Sequence, residues 1–332
     1  MAVRPLGTSE ATFTPAEGAL ALRRRHPRGR ERRSEPAPQA GVAIFRGKFL
    51  PYALLVPQLA IVAIFFLWPT VRSVEESLQR TNAFGTGARF SGLTNFLNAF
   101  NVADEVSAIE VTVIFACLTT ALAMALGLFL AVQVEQAGRL RKVYRTLFIW
   151  TYAVPGAVAG ALWLFLFEPG LGAGAKVLVD LGVKWNFALH GVQAFALVVA
   201  LVVWQEAAYN FLFFTAGLQM IPRDVLEAAS IDGASKLARF WRVVFPLLSP
   251  TTFFLLVMNV LYAFFSSFAI IDIVTQGGPG NATTTLVYQI YRDGFQNGDT
   301  GLAGAETVLL LLIAAVLTAA QFRLLNRRVH YR

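Results

Sequence analysis

Six long apolar runs, separated by polar links, organise this chain. They fall at about residues 50–71, 111–134, 146–167, 192–219, 251–274 and 302–322. Each is long enough to cross a hydrocarbon core of ~30 Å as a helix rising ~1.5 Å per residue. The pattern predicts an all-α integral membrane protein with six transmembrane helices. Pro57 and Pro69 in the first run and Pro155 in the third are of the kind that membrane helices tolerate as kinks. Leu286 to Tyr291 is apolar but too short to span, and is expected to pack an external re-entrant or interfacial element.

The link between the fourth and fifth runs is too long and too patterned for a spacer. It reads R-D-V-L-E-A-A-S-I-D-G-A-S-K-L-A-R-F-W-R-V-V-F-P from Arg223 to Pro246. Pro222 favours a helix beginning just after it. Asp224 and Glu227 lie near that start, where the helix dipole favours acids. Ala228, Ala229 and Ile231 offer a small, close-packing face, and Asp232 and Gly233 mark a turn. Leu237, Phe240, Trp241 and Val244 then recur at helical spacing, with Lys236, Arg239 and Arg242 on the other faces. Pro246 and Pro250 are expected to limit this second helix. The result is a helix, a glycine turn and another helix at the membrane surface, spanning 222–246. Periodicity fits two roles about equally: a knob set into a groove of a soluble subunit, and an interfacial amphipathic hairpin with no partner.

Composition strengthens the membrane reading. Of the 332 residues 56% are apolar and 14% charged, against about 25% charged in soluble domains. A net charge of +8 would suggest nucleic acid in a soluble chain, but the basic residues lie mostly at the ends of apolar runs, so no nucleic-acid partner is expected. Of the 28 Lys and Arg, 22 fall on the side that holds 1–49, 135–145, 220–250 and 323–332. Six fall on the other side: Arg72, Arg80, Arg89, Lys176, Lys184 and Arg292. That bias predicts cytoplasmic termini and a cytoplasmic Arg223–Pro246 link, most naturally in a bacterial inner membrane. Residues 1–47, with the basic run Arg23 to Arg33, are expected to be a disordered cytoplasmic tail, and 48–332 the six-span domain. The external loop 72–110, with F-S-G-L-T-N-F at Phe90 to Phe96, caps the bundle or touches an extracytoplasmic partner. Cys117, the one cysteine, excludes an intrachain disulfide and is expected to be a small buried hydrophobe.

Enzyme signatures are missing from the sequence. It carries no G-x-x-x-x-G-K-[ST] loop, no H-E-x-x-H and no G-x-S-x-G elbow, and His26, His190 and His330 fall near ends or loops. No catalytic or metal-ligating residue is assigned. Polar groups inside the spans are costly in lipid and so point to function or to bundle-internal hydrogen bonds. Gln205, Glu206, Tyr209 and Asn210 lie on the fourth run. Asn259, Tyr262, Ser266, Ser267 and Asp272 lie on or near the fifth, and Glu306 and Thr307 begin the sixth. Tyr209, Asn210, Asn259, Tyr262 and Ser266 are the candidate solute-pathway residues. Glu206 and Asp272 are read as closer to the outer surface.

E-A-A-S-I-D-G-A at Glu227 to Ala234, followed by Phe240 and then Pro246, resembles the EAA motif of binding-protein-dependent ABC importer permeases of the maltose-permease class. The resemblance implies a type I permease architecture for the six spans and a coupling role for Glu227, Ala228, Ala229, Asp232, Gly233, Ala234, Phe240 and Pro246. It implies that this hairpin inserts into a cleft of an ATPase subunit. It further implies a second homologous permease, two copies of the ATPase and a periplasmic or extracytoplasmic solute-binding protein. ATP and Mg²⁺ are then bound by the ATPase, with no cofactor and no catalysis in this lipid-embedded chain.

Further phrases narrow the likeness. L-P-Y-A-L-L-V-P-Q-L at Leu50 to Leu59, I-P-R-D-V-L-E-A-A at Ile221 to Ala229, G-G-P-G-N-A-T-T-T-L at Gly277 to Leu286 and Y-R-D-G-F at Tyr291 to Phe295 resemble permeases of sn-glycerol-3-phosphate importers. That solute is therefore expected, with neutral mono- or oligosaccharides as an alternative because the spans hold no central Lys or Arg. An ion-driven secondary transporter is the alternative from another class. The basic tail and Glu306 depart from the family pattern.

Overall fold

The computed structural model describes residues 49–81 and 87–325. The expected tail at 1–47, with His26, and His330 near the C-terminus lie outside the described residues. The chain divides into two compact units, 1–57 and 58–332. The described part of the first is the opening of helix α1 (Phe49–Val62), which runs through Pro57.

In the second unit α1 continues through a π-helical turn at Ala63–Leu67 into α2 (Trp68–Ser77). A short antiparallel hairpin follows, β1 (Gln79–Thr81) and β2 (Ala88–Phe90), with Gln79 opposite Phe90. Helix α3 (Thr94–Asn101) leads into the 34-residue α4 (Ala103–Gln136). Next come α5 (Arg141–Tyr152), α6 (Gly156–Phe167), α7 (Ala173–Asp180) and α8 (Gly191–Gln219). The link to the fifth span holds α9 (Arg223–Ile231), α10 (Lys236–Arg239), a π turn at Phe240–Val244 and α11 (Phe245–Leu247). Helix α12 (Ser249–Leu261), a π turn at Tyr262–Ser266 and α13 (Phe268–Val274) make the broken fifth span. Helix α14 (Leu286–Tyr291), a π turn at Arg292–Gln296 and α15 (Thr300–Leu325) close the order.

Five of the described stretches are each long and apolar enough to cross a membrane alone: Leu55–Ser77, Ala103–Gln136, Gly191–Gln219, Ser249–Ser266 and Thr300–Arg323. The sixth is a pair. The kink expected at Pro155 in the run 146–167 is a full break, with α5 and α6 bent by 96°. Pro155 causes the break: it has no N–H to donate and biases the residue before it away from the helix. Its own backbone is extended (φ −58°, ψ 143°), and it caps α6.

Pro69 and Pro246 behave differently. Each sits two residues beyond the end of a π turn, Ala63–Leu67 and Phe240–Val244, and the helix passes through both. The wider turn absorbs the missing N–H and the ring that would strike the preceding turn. Pro246 therefore does not limit the second hairpin helix as expected; the helical run continues to Leu247.

Small residues set the packing, since lipid supplies no hydrophobic drive between helices. Along α4 the buried stripe Ala108, Thr112, Ala116, Thr120, Ala123, Gly127 and Ala131 faces inward. At Gly127 a Cβ would stand 2.5 Å from the Asn210 Cβ, so α4 and α8 touch backbone to backbone. Cys117 falls off that stripe and is exposed, correcting the expectation that it is buried. One apolar core gathers Phe115, Leu197, Val198, Phe264, Ile270 and Ile271; a second gathers Phe211, Phe214, Leu248 and Leu255. Helix α14 packs into the first through Leu286 and Tyr288, as its apolar patch predicts. The G-G-P-G-N-A-T-T-T phrase is a pinned loop: buried Thr283 and Thr284 donate to the carbonyls of Gly278 and Gly277 at 3.1 and 3.0 Å.

Candidate functional site

The 222–246 link folds as a rigid two-armed hairpin. Pro222 caps α9 from an extended backbone, and Asp224 lies in the first turn. At its far end Gly233 adopts φ +76°, which glycine reaches without a Cβ clash. The Ala234 N–H donates to Ala229 O and the Gly233 N–H to Ser230 O, both at 3.2 Å. These are the paired bonds of a Schellman closure, with Gly233 at the left-handed position. Ser235 then caps α10, its hydroxyl accepting from the Ala238 N–H at 3.3 Å. The Arg239 guanidinium donates to Ser230 Oγ, which ties the second arm to the first.

One side of this hairpin is rooted and the other is free. Val244 is buried, and Leu226 and Phe240 pack against the Phe211–Leu255 core. Glu227, Ala228, Asp232, Gly233 and Pro246 are exposed, while Ala229 and Ala234 are half-buried. Ile231 is 86% exposed and Leu237 68% exposed, an apolar tip left uncovered among the described residues.

Beside the hairpin a polar seam runs between α8 and the fifth span. Asn210 and Asn259 are buried and bond each other twice, at 2.9 and 2.8 Å. Their remaining amide hydrogens go to Glu206 O at 2.8 Å and Leu255 O at 2.7 Å. Further along α8, Gln205 Nε2 donates to Val154 O at 2.6 Å, capturing a carbonyl at the Pro155 break. The Tyr262 hydroxyl reaches Gln205 Oε1 at 3.5 Å. Tyr209 is half-buried and lies against the ring of Tyr152, the last residue of α5, with centroids 5.5 Å apart. Ser266 ends the π turn and is exposed, apart from the others. Glu206 is buried in the bundle, because α8 is enclosed on most sides, and Asp272 is half-buried.

The hairpin between a fourth and fifth span, beside a broken third span, matches a known architecture. A family profile described as the binding-protein-dependent transport system inner membrane component covers residues 123–331. This chain belongs to that family. The "sn-glycerol-3-phosphate transport system permease protein UgpA" of Agrobacterium fabrum is 49% identical over 288 residues, 87% of this chain and 98% of the relative. The protein of the same description from Rhizobium meliloti is 48% identical over the same shares. A solved bacterial ABC transporter that imports the acidic polysaccharide alginate aligns with a TM-score of 0.73 at 20% identity, covering 85% of this chain and 96% of that one. The fold is shared.

The permease is thus a multi-pass inner-membrane subunit of an ABC importer. It is non-catalytic, since ATP hydrolysis in this family occurs in a separate ATPase subunit. The ion-driven alternative falls with that assignment. Family membership implies a complex with a second permease subunit, an ATPase and a solute-binding protein. Sequence reasoning about the permease missed Ser235 as a cap and Gln205 as the partner of the break. The S-x-x-A spacing of Ser235 carries a local signal; the bond from Gln205 to a carbonyl 51 residues away carries none.

Proposed function

We propose that this permease carries sn-glycerol 3-phosphate inward, and that the 222–246 hairpin couples it to ATP. The observation that supports coupling is the closed, capped hairpin with its uncovered tip. Three devices make it stiff: the Gly233 turn, the Ser235 cap and the Arg239–Ser230 bond. A stiff knob transmits displacement, and small exposed residues beside Glu227 suit a groove in a soluble subunit. The 22-to-6 distribution of Lys and Arg supports a cytoplasmic hairpin and cytoplasmic termini.

In this reading one permease pairs with a second, homologous permease, two ATPase copies that hold ATP and Mg²⁺, and an extracytoplasmic solute-binding protein. Closure of the ATPase dimer moves the hairpins, and the moving spans expose the seam between α8 and α12 to the outside. Hydrolysis returns it inward. The hairpin must bind the ATPase differently in the two states, because equal binding shifts no equilibrium.

The solute rests on the likeness to UgpA over nearly the whole relative. Neutral mono- or oligosaccharides are the second reading, favoured by one observation: among the described residues no Lys or Arg is buried. A phosphate would want such a donor or helix N-termini. Uptake of labelled sn-glycerol 3-phosphate by cells that carry the complete importer separates the two. The proposal expects uptake that needs this chain and is competed by unlabelled glycerol 3-phosphate. Competition by neutral sugars alone gives the second reading.

A further inference from the structure

We propose that Glu105, Asp293 and Glu306 hold a hard divalent cation of the Ca²⁺ or Mg²⁺ type. The three come from separate elements: the first turn of α4, the π turn after α14 and the second turn of α15. All are buried, with 4%, 5% and 0% exposure. One carboxylate oxygen from each lies within 4.8 Å of the others.

The surroundings leave this charge unanswered. Among the described residues no Lys or Arg makes an ion pair with any of the three. Arg292 is close in sequence, but its guanidinium donates to Gln289 Oε1 at 2.6 Å and Asn281 Oδ1 at 2.8 Å. Neutral amides serve part of the cluster. Gln289 Nε2 donates to Glu105 Oε1 at 2.9 Å and Asp293 Oδ2 at 2.7 Å, and Asn297 Nδ2 donates to Asp293 Oδ1 at 2.8 Å.

Among the described residues no N–H or hydroxyl donor reaches three oxygens of the cluster, Glu105 Oε2 and both oxygens of Glu306. A fully enclosed carboxyl that no donor reaches is the observation that points to a ligand, since such a group is stable only when it is protonated, paired or on a metal. An all-oxygen, all-carboxylate set suits hard cations and not thiophilic ones. Ca²⁺ bonds of about 2.3–2.6 Å let oxygens on opposite sides of the ion lie up to about 5 Å apart, a span that encloses this cluster. Gln289 and Asn297 stand behind the ligands and fix their orientation, as outer-shell partners of metal sites do.

The ion would tie α4 and the α14 segment to the start of α15. That start is already pressed on its other face: a Cβ at Gly304 would stand 2.8 Å from Ser73 O of α2. On the orientation proposed above, the site lies at the extracytoplasmic end of the bundle. Its existence rests neither on that orientation nor on the solute.

The test uses the complete importer, purified through a chelator and reconstituted in nanodiscs without nucleotide. Equilibrium binding of ⁴⁵Ca²⁺, with Mg²⁺ as competitor, is compared between wild type and Glu306→Gln. Expected is one ion more per copy of this chain in the wild type, with an unfolding midpoint that Ca²⁺ or Mg²⁺ raises in the wild type only. Should Glu306→Gln fail to assemble, Asn297→Ala removes an outer partner and is expected to weaken binding by about 10-fold or more. Equal binding by wild type and Glu306→Gln overturns the proposal. So does a wild type that binds neither ion at millimolar concentration, which would mean that the carboxyls share protons instead.

Discussion

Asn210 and Asn259 hold each other by reciprocal amide hydrogen bonds, Nδ2 to Oδ1 in both directions, at 2.9 and 2.8 Å. Each spends its other amide hydrogen on a carbonyl one turn back in its own helix, Glu206 O and Leu255 O. All four donors are used. In the captured conformation the pair is a clasp between α8 and α12, and a solute that takes an amide hydrogen from either residue must displace one of these bonds. Alanine at 210, at 259 and at both should therefore show coupling. Membrane helix pairs of this kind couple by about 0.6 kcal/mol on average and up to about 1.7, and two bonds place this one toward the upper figure. Unfolding midpoints of the purified importer measure it. Strictly additive losses would mean that the clasp contributes nothing as a pair.

Gly233 separates strain from contact in the hairpin. Among the described residues, beyond its two chain neighbours, no atom lies within 4 Å of a Cβ added there, so Gly233→Ala meets only the left-handed backbone at φ +76°. That costs an L residue about 1–2 kcal/mol, and uptake should fall in part. Gly233→Pro should abolish uptake, because proline fixes φ near −65° and deletes the N–H that Ser230 O accepts. Membrane fractionation should find both variants inserted, since the hairpin lies outside the spans. Wild-type uptake by inserted Gly233→Pro would remove the coupling role.

Glu227 is exposed, and in the described structure none of its own chain's cations pairs with it. Reversal to lysine should leave the fold unchanged and weaken the hold on the ATPase. Loss of one charge-assisted hydrogen bond is worth about 1.5–3 kcal/mol, so co-purification of the ATPase should drop at least tenfold in affinity. An unchanged yield at low and high salt would count against a contact through Glu227.

The hairpin was legible because its signals are local. Pro222, Gly233 and the spacing of Phe240 and Val244 act within a few residues, and backbone sterics alone dictate their effect. The spans were legible for the same reason: a run of apolar residues needs no partner to declare itself. What escaped was set by tertiary context. Pro155 announces a kink, but neither its 96° nor the meeting of Gln205 with the carbonyl of Val154 is written in the local sequence. Cys117 is exposed and not buried, because the rotation of α4 follows its small-residue stripe and not the hydropathy of that residue. Glu306 stood out as an odd charge, yet Glu105 and Asp293 join it only after the chain has crossed the bundle several times.

Gln205 holds the bend by one strong bond and meets Tyr262 by one weak one, and the two residues should respond differently to mutation. Gln205 Nε2 reaches the carbonyl of half-buried Val154 at 2.6 Å. Gln205→Leu removes that carbonyl's side-chain donor, and net loss of one hydrogen bond costs about 0.5–1.5 kcal/mol. The Tyr262 hydroxyl stands 3.5 Å from Gln205 Oε1, at the limit of hydrogen bonding. Tyr262→Phe should therefore change the unfolding midpoint little. Uptake provides the second axis. If the α5–α6 bend moves during transport, Gln205→Leu lowers both stability and uptake, because the broken helix loses its anchor on α8. If Tyr262 touches solute, Tyr262→Phe lowers uptake at unchanged stability, with the loss seen in apparent KM. Equal behaviour of the two variants would mean that the bend is held by Pro155 and its packing alone.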